Sequence, residues 1–208
     1  MALVQNPIIG KASGSVGNIT FAGWKGKNVM KTKAQNSYST PTQEQLNNNE
    51  KFATLVAFYR TISGLVTSGF KALAVGQSEY NGFIAENPYS TSVIGTSGNY
   101  KVATNLIKIS KGPELQSVLG IVQVLANGAN GLNIEWNPSG NYNPDWPMVV
   151  AAFDRTSGAF IKSTTGLISD QNLVITSDGI GTNIASVDVY AFYCNLSTGK
   201  ACDSVKGT

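Results

Sequence analysis

Histidine is absent from the 208-residue sequence, and this absence removes most of the familiar catalytic and metal-binding arrangements. Histidine is the usual general acid or base near neutral pH and the commonest metal ligand. Catalytic triads and zinc sites are therefore disfavoured, and a nucleophilic cysteine would lack its usual imidazole partner. We expect a protein that is not an enzyme and that holds no cofactor or metal.

The sequence is also poor in charge and in long apolar runs. Charged residues make up 13% of the chain, about half the usual share. Solubility then depends on Asn, Gln, Ser, Thr and Gly, and such a surface is suited to packing against copies of itself. No apolar run approaches the ~20 residues that cross a bilayer, and the first residues lack the pattern of a secretory signal. We expect no membrane partner and no ordinary export.

The few charges are distributed unevenly. Residues 1–43 contain five lysines and no acid, namely Lys11, Lys25, Lys27, Lys31 and Lys33. The remaining residues carry 10 basic and 12 acidic side chains, so a basic amino-terminal arm precedes a weakly acidic body. A segment of this kind can bind nucleic acid or the acidic surface of a neighbouring subunit.

The arm, residues 1–39, is predicted to contain a β-hairpin over residues 16–33. Alternating apolar and polar residues flank Lys25-Gly26-Lys27, where Gly26 would supply the positive φ of the turn. Two strands are only marginally stable alone, so we expect the hairpin to dock on its own subunit or on another copy. Trp24 would anchor a protein interface or stack on a nucleobase. The candidate contact residues for assembly or nucleic acid are Trp24, Lys25, Lys27, Lys31 and Lys33.

These residues belong to a pattern that extends along the chain. Gly14-Ser-Val-Gly-Asn, Gly23-Trp-Lys-Gly-Lys-Asn-Val, a Thr-Pro-x-Gln helix start and a carboxyl-terminal Val-Tyr-Ala-Phe strand follow one another in order. In these features the chain resembles an uncharacterised family of proteins of this length from Bacteroidota-type bacteria and their phages. It departs from the family at Lys31, where members usually have arginine, and at Asn48, where they have a basic residue. The resemblance implies no established activity. We expect synthesis in the bacterial cytoplasm and a place in a virion, or outside the cell after release.

Residues 40–95 are predicted to be a helical segment. Thr40-Pro41-Thr42-Gln43 supplies the cap, the first-turn proline and the capping-box glutamine of a helix start. An apolar stripe follows at three- and four-residue spacing and predicts one long helix, which Gly64 and Gly69 should bend or interrupt. The stripe packs either on its own domain or on another subunit, and it consists of Phe52, Leu55, Val56, Tyr59, Ile62, Val66, Phe70 and Leu73. A second, short helix is predicted over Glu79–Glu86.

Residues 96–208 have the pattern of short strands separated by Asn, Gly, Pro and Ser. The predicted strands are 106–110, 118–125, 132–136, 148–154, 159–163, 172–176, 186–195 and 200–205. The strand at 186–195 has apolar residues on both faces and belongs inside a sheet. The fold class is therefore mainly β with an α-helical segment. We expect an immunoglobulin-like β-sandwich, with a jelly roll as the alternative, preceded by the hairpin arm and one long helix.

The last predicted hairpin contains both cysteines. If it pairs about Thr198, Cys194 and Cys202 stand opposite each other at a Cα separation that a disulfide accepts. The bond would form outside the cytosol, whereas a cytosol would keep both thiols reduced. Two buried thiols that behave as small hydrophobic side chains are the alternative.

The carboxylates do not form a recognisable catalytic pair. Asp145, Asp154 and Asp170 lie in or beside predicted turns, where Asp commonly bonds its own backbone. Aromatic residues next to asparagines, at Trp136-Asn137 and Tyr142-Asn143, are candidates for contact with a sugar face or for half-buried strand ends.

Two functional hypotheses follow. The first is a structural, self-assembling protein, a phage virion component (capsid or virion-associated), whose partners are copies of itself and other virion proteins. The alternative is a non-catalytic binding module, either for nucleic acid through the basic arm or for a glycan or protein through the sandwich loops.

Overall fold

A computed structural model describes residues 2–4, 13–24, 27–34, 40–73, 76–114, 116–120, 122–195 and 197–207 of the chain. The chain forms two compact units, Met1–Thr42 and Gln43–Thr208. The fold is mainly β, with several antiparallel sheets and few helices, as the sequence predicts.

The amino-terminal unit is a four-stranded antiparallel sheet. Its strands are β1 (Ala2–Val4), β2 (Gly14–Val16), β3 (Ile19–Trp24) and β4 (Lys27–Thr32), in the order β1-β4-β3-β2. The predicted hairpin is confirmed as β3 and β4, and a three-residue strand extends it on each side. The turn at residues 25 and 26, with the predicted positive φ of Gly26, lies outside the described residues.

The second unit begins with four helices. These are α1 (Gln43–Thr61), α2 (Ser63–Gly69), α3 (Glu79–Glu86) and α4 (Tyr89–Ser92). The predicted start at Thr40 is wrong, because α1 begins at Gln43 and Thr42, itself a favourable capping residue, stands before it. The prediction that Gly64 and Gly69 interrupt the long helix is confirmed for Gly69, where α2 ends, and wrong for Gly64, because the helix breaks at Ile62 and Gly64 lies inside α2. A side chain at Gly69 would overlap the carbonyl oxygen of Ile109, so this glycine permits close packing.

The predicted short helix is confirmed as α3. Its first residue is Glu79, and the Ser78 hydroxyl caps it by accepting a hydrogen bond from the Asn81 N–H at 3.3 Å. The buried faces of the helices join the core of the same unit. The side chain of Phe58, for example, lies 5.7 Å from Phe153, measured between ring centroids.

Ten strands complete this unit. They are β5 (Val93–Thr96), β6 (Asn99–Val102), β7 (Val122–Ala126), β8 (Gly131–Trp136), β9 (Pro147–Asp154), β10 (Ala159–Leu167), β11 (Asn172–Thr176), β12 (Val187–Asn195), β13 (Lys200–Ala201) and β14 (Val205–Lys206). One sheet has the order β10-β9-β12-β13, with β14 also paired to β12; a second has the order β11-β8-β7; β5 and β6 form a hairpin. Strands β9 and β12 are buried on both faces, as predicted for residues 186–195.

Three predicted strands are corrected by the structure. The last of them, 200–205, is divided into β13 and β14, each of two residues. Residues 106–110 form no strand, because the side chain of Asn87 takes the place of a neighbouring strand: its amide donates to the Lys108 carbonyl at 2.9 Å and accepts from the Lys108 N–H at 2.7 Å. The prediction for 118–125 is wrong in its first part, where Gln116–Leu119 is a 3-10 helix. Gly120, at φ +66°, separates this helix from β7.

Candidate assembly surfaces

The amino-terminal sheet has two chemically different faces. Opposed residues of an antiparallel pair lie on the same face, and alternate residues of a strand lie on opposite faces. Trp24 pairs with Lys27, and Thr20 pairs with Lys31. We call this side the lysine face; it consists of Ser15, Thr20, Ala22, Trp24, Lys27, Val29 and Lys31. The other side, the apolar face, carries Val16, Ile19, Phe21 and Met30.

The structure brings three of the five predicted contact residues onto the lysine face. Lys27 and Lys31 are exposed there, and the backbone of Trp24 pairs beside them. Lys33 follows β4 and is also exposed; its N–H donates to the carbonyl of Asn18 at 2.7 Å. Lys25 lies outside the described residues. The described lysines of this face are therefore solvated, whereas Val29 on the same face is buried.

The apolar face is exposed to solvent. The side chain of Val16 is 73% exposed and that of Ile19 is 42% exposed, while Phe21 and Met30 are half-buried. Among the residues described in this unit, Val29 alone is a buried apolar residue, at 5% exposure, and it lies on the lysine face. The described side chains of this unit therefore form no core, although such a sheet requires one covered face for stability.

A groove of about 480 Å³ opens in the second unit, where the turn after β9, the loop after β11 and the start of β12 meet. Three apolar residues contribute to its lining, namely Ile161, Ile180 and Val187. Two carboxylates, those of Asp154 and Asp178, line it together with hydroxyl and amide side chains. The arrangement can accept a group that is apolar along its length and positively charged at its end.

The two carboxylates of the groove differ in their environments. Asp154 closes the turn after β9: the Ser157 hydroxyl donates to it at 2.6 Å and the Thr156 N–H at 2.8 Å. The Ser157 bond is the main cause of the lowered pKa of Asp154, against the opposing effect of burial. Asp178 is exposed, and no described residue bonds its carboxylate.

Sequence comparison relates the chain to known proteins through one family. A model of a family of unknown function, DUF6266, matches residues 11–203. The chain belongs to this family. The match begins before β2 and ends after β13, so it includes both the arm and the body. A comparison with curated proteins gave no match. The expectation of an uncharacterised family is confirmed, while the bacterial or phage source of the DUF6266 chain stays a prediction.

The cysteine pairing predicted for the DUF6266 chain is wrong in its register. Cys194 is opposite Ala201, and the Cys202 N–H donates to the carbonyl of Tyr193 at 3.1 Å, so the two sulfurs lie on opposite faces of the hairpin. Asn195 causes the shift by accepting hydrogen bonds from two backbone N–H groups of the loop, at Ser197 and Thr198. Both thiols are free, and burial raises the pKa of Cys202 to about 12 and also raises that of Cys194.

A buried carboxylate that the sequence analysis missed organises one end of β12. The side chain of Asp188 is fully buried and accepts hydrogen bonds from Arg155 Nη2 at 2.6 Å, Lys206 Nζ at 2.8 Å and Thr104 Oγ1 at 2.7 Å. Burial alone would raise the pKa of Asp188, but the bonds from Arg155, Lys206 and Thr104 outweigh burial and lower it. The network connects β12 with β14, with the turn after β9 and with the segment after β6. No alternation or spacing in the sequence indicates it.

For Trp136 the structure favours the second alternative, a ring at the end of a strand, over contact with a sugar. Trp136 is buried, and its indole N–H donates to the carbonyl of Ile168 at 2.9 Å, so its ring forms part of the core. Tyr142 is half-buried against the same core.

In the described part of the chain no group of three or more acidic, cysteine or histidine side chains is placed to hold a metal ion. No described helix is long and apolar enough to span a membrane.

Proposed function

We propose that this DUF6266 chain is a structural, self-assembling protein whose copies are joined through the amino-terminal sheet. One observation carries the proposal: the sheet of Met1–Thr42 leaves Val16 and Ile19 exposed, and no described side chain of this unit forms a core beneath their face. A contiguous exposed apolar face, as opposed to scattered apolar residues, marks a protein interface. A second copy of the chain is the partner that covers it.

The edges of this sheet favour contact through a face. Strands β1 and β2 form the two edges, and each has three residues. Short edge strands are a common means by which proteins avoid pairing edge to edge. The copies therefore associate through the apolar face and not by extending the sheet.

The broader assignment is a phage virion component, capsid or virion-associated, with copies of itself and other virion proteins as partners. The low content of charged residues, 13%, supports dense packing of copies.

We also propose that the five-stranded and three-stranded sheets of the body form an immunoglobulin-like sandwich. The burial of β9 and β12 on both faces supports this arrangement.

Substitution of the apolar face tests the proposed assembly. We expect the double substitution Val16→Gln and Ile19→Gln to shift the protein to a smaller mass in sedimentation velocity. Each apolar side chain contributes roughly 1.5–3 kcal/mol when buried, so the association should weaken by at least about tenfold. Both residues are exposed within the chain, so the circular dichroism spectrum should not change.

Ile94 and Leu106 provide the matched control. Both are exposed apolar residues of the second unit, and the double substitution Ile94→Gln and Leu106→Gln should leave the mass of the assembly unchanged. The proposal would be wrong if the Val16 and Ile19 variant kept the mass of the parent.

Nucleic-acid binding is a second candidate function, and the register of β3 and β4 favours it. The backbone of Trp24 pairs with Lys27 and that of Thr20 with Lys31, so two cations lie on one face and Trp24 is the register partner of one of them. Aromatic residues among lysines can stack on bases while the lysines neutralise phosphates. Because the apolar face lies on the opposite side, assembly and nucleic-acid binding do not exclude each other.

A further inference from the structure

We infer that the groove beside Asp154 and Asp178 receives a lysine side chain from the amino-terminal sheet of a second copy. The inference rests on the proposed function, since it names the surface on the receiving copy that the amino-terminal sheet contacts.

The chemistry of the groove matches a lysine side chain. Ile161, Ile180 and Val187 are apolar residues of its lining, and no described lysine or arginine lines the groove. A lysine side chain combines an apolar four-carbon stem with an ammonium head, and it commonly buries the stem while the head bonds an oxygen at the rim. The carboxylates of Asp154 and Asp178 supply that oxygen.

Asp178 is the principal acceptor. The oxygens of Asp154 already accept hydrogen bonds from Thr156 and Ser157, which hold the turn. The carboxylate of Asp178 is exposed and is bonded by no described residue. Two lysines lie near the groove, but each is engaged with a backbone carbonyl: Lys101 bonds Thr156 at 2.6 Å and Lys162 bonds Thr176 at 3.3 Å.

The excess positive charge of the amino-terminal unit points to it as the donor, because this unit has five lysines and no acid. Five lysines of the second unit bond oxygen atoms of that unit, namely Lys101, Lys108, Lys111, Lys162 and Lys206. The side chains of the exposed Arg60, Lys71 and Lys200 bond no oxygen among the described residues, but they share their unit with all 12 acids of the chain. Lys27, Lys31 and Lys33 are exposed and have no ion pair among the described residues, and their unit contains no acid. An unpaired acid in the body and unpaired lysines in the arm are complementary between copies.

Zero-length cross-linking tests the contact in the full-length protein. Equal amounts of unlabelled and ¹⁵N-labelled chain are mixed, treated with a carbodiimide and digested for mass spectrometry. We expect a cross-link between Asp178 and Lys27, Lys31 or Lys33 that joins one labelled and one unlabelled peptide. Cross-links formed only within one chain, or none at Asp178, would overturn the inference.

Charge reversal distinguishes this inference from the proposed function. We expect Asp178→Lys to weaken association by about tenfold, and Lys31→Asp in the same chain to restore part of the loss. The matched control is Asp145→Lys, because Asp145 is an exposed acid outside the groove.

If the Val16 and Ile19 variant loses assembly while Asp178→Lys keeps it, the proposed function stands and the groove does not bind the lysine of the second copy. If the Val16 and Ile19 variant keeps assembly, the proposed function itself fails.

Discussion

Asp188 is completely buried and has two cationic partners, and these two properties determine how its substitution changes the free energy of unfolding. The side chains of Arg155 and Lys206 are 47% and 38% exposed, so water can solvate these cations if the carboxylate is lost. The hydrogen bonds that the buried carboxylate accepts are lost in the same substitution. We expect Asp188→Asn to lower the free energy of unfolding by about 3 kcal/mol, the lower end for breaking a buried ion pair. Urea denaturation measures this change.

The pH dependence of stability provides a second readout of the same residue. The pKa of Asp188 is lowered in the folded protein, so the unfolded chain takes up the proton first as the pH falls. The stability from Asp188 is therefore complete above the ordinary aspartate pKa of about 4 and declines below it. The Asp188→Asn variant should lose less stability than the parent on acidification. An equal loss of stability on acidification in the parent and in Asp188→Asn would contradict the assigned role.

The two cysteines give a prediction that follows from the hairpin register. Because Cys194 and Cys202 lie on opposite faces, a disulfide requires a slip of one residue, which would turn the buried Ala201 and Cys202 to the other face. We expect two free thiols when the protein is unfolded and alkylated without reductant, as measured by intact mass. In the folded protein Cys202 should react slowly, since it is buried and its pKa is raised to about 12. An oxidised pair in unreduced protein would show that the register is different.

At the scale of the element, strand β4 carries the groups on which nucleic-acid binding would depend. Lys27 and Lys31 lie on one face of it and Lys33 follows it. If the arm binds duplex DNA with all five of its lysines, the logarithm of the affinity should fall with the logarithm of the salt concentration with a slope of about −4 to −5. Alanine at Lys27, Lys31 and Lys33 should reduce this slope by about 3, as measured by fluorescence anisotropy.

Lys71 and Lys200 serve as the control for this element. Both are exposed lysines of the second unit, and their replacement by alanine should leave the slope unchanged. A slope near zero for the parent protein would exclude nucleic-acid binding by the arm and leave assembly as its proposed role.

At the scale of the whole molecule, arm and body differ in charge and in how they use apolar residues. The body buries its apolar residues in one extensive core, whereas the arm exposes an apolar face and carries lysines without acids. The match to the DUF6266 family spans both parts. The arm has exposed apolar groups and unpaired charges, and it is attached to a body that has its own core. Contacts between an arm and a neighbouring copy require such an arrangement.

Local patterns in the sequence were sufficient for the elements that depend on neighbours along the chain. The hairpin β3–β4, the helix α3 and the strands β8, β9, β11 and β12 follow from alternation, caps and turn residues, which act within a few residues. The basic arm and its candidate lysines likewise follow from composition. These features are local, so the sequence alone determined them.

Tertiary contacts decided the rest. The side chain of Asn87 bonds the backbone of Lys108, 21 residues away. Residues 106–110 therefore form no strand, although their apolar side chains predict one. The side chain of Asn195 accepts hydrogen bonds from the last loop, and in the resulting register the two cysteines are not opposite each other. The Asp188 network and the Asp178 groove each combine residues from distant elements, and the exposure of Val16 and Ile19 depends on which face of the sheet is covered. No local pattern encodes such contacts, because they form only when segments far apart in the sequence pack together.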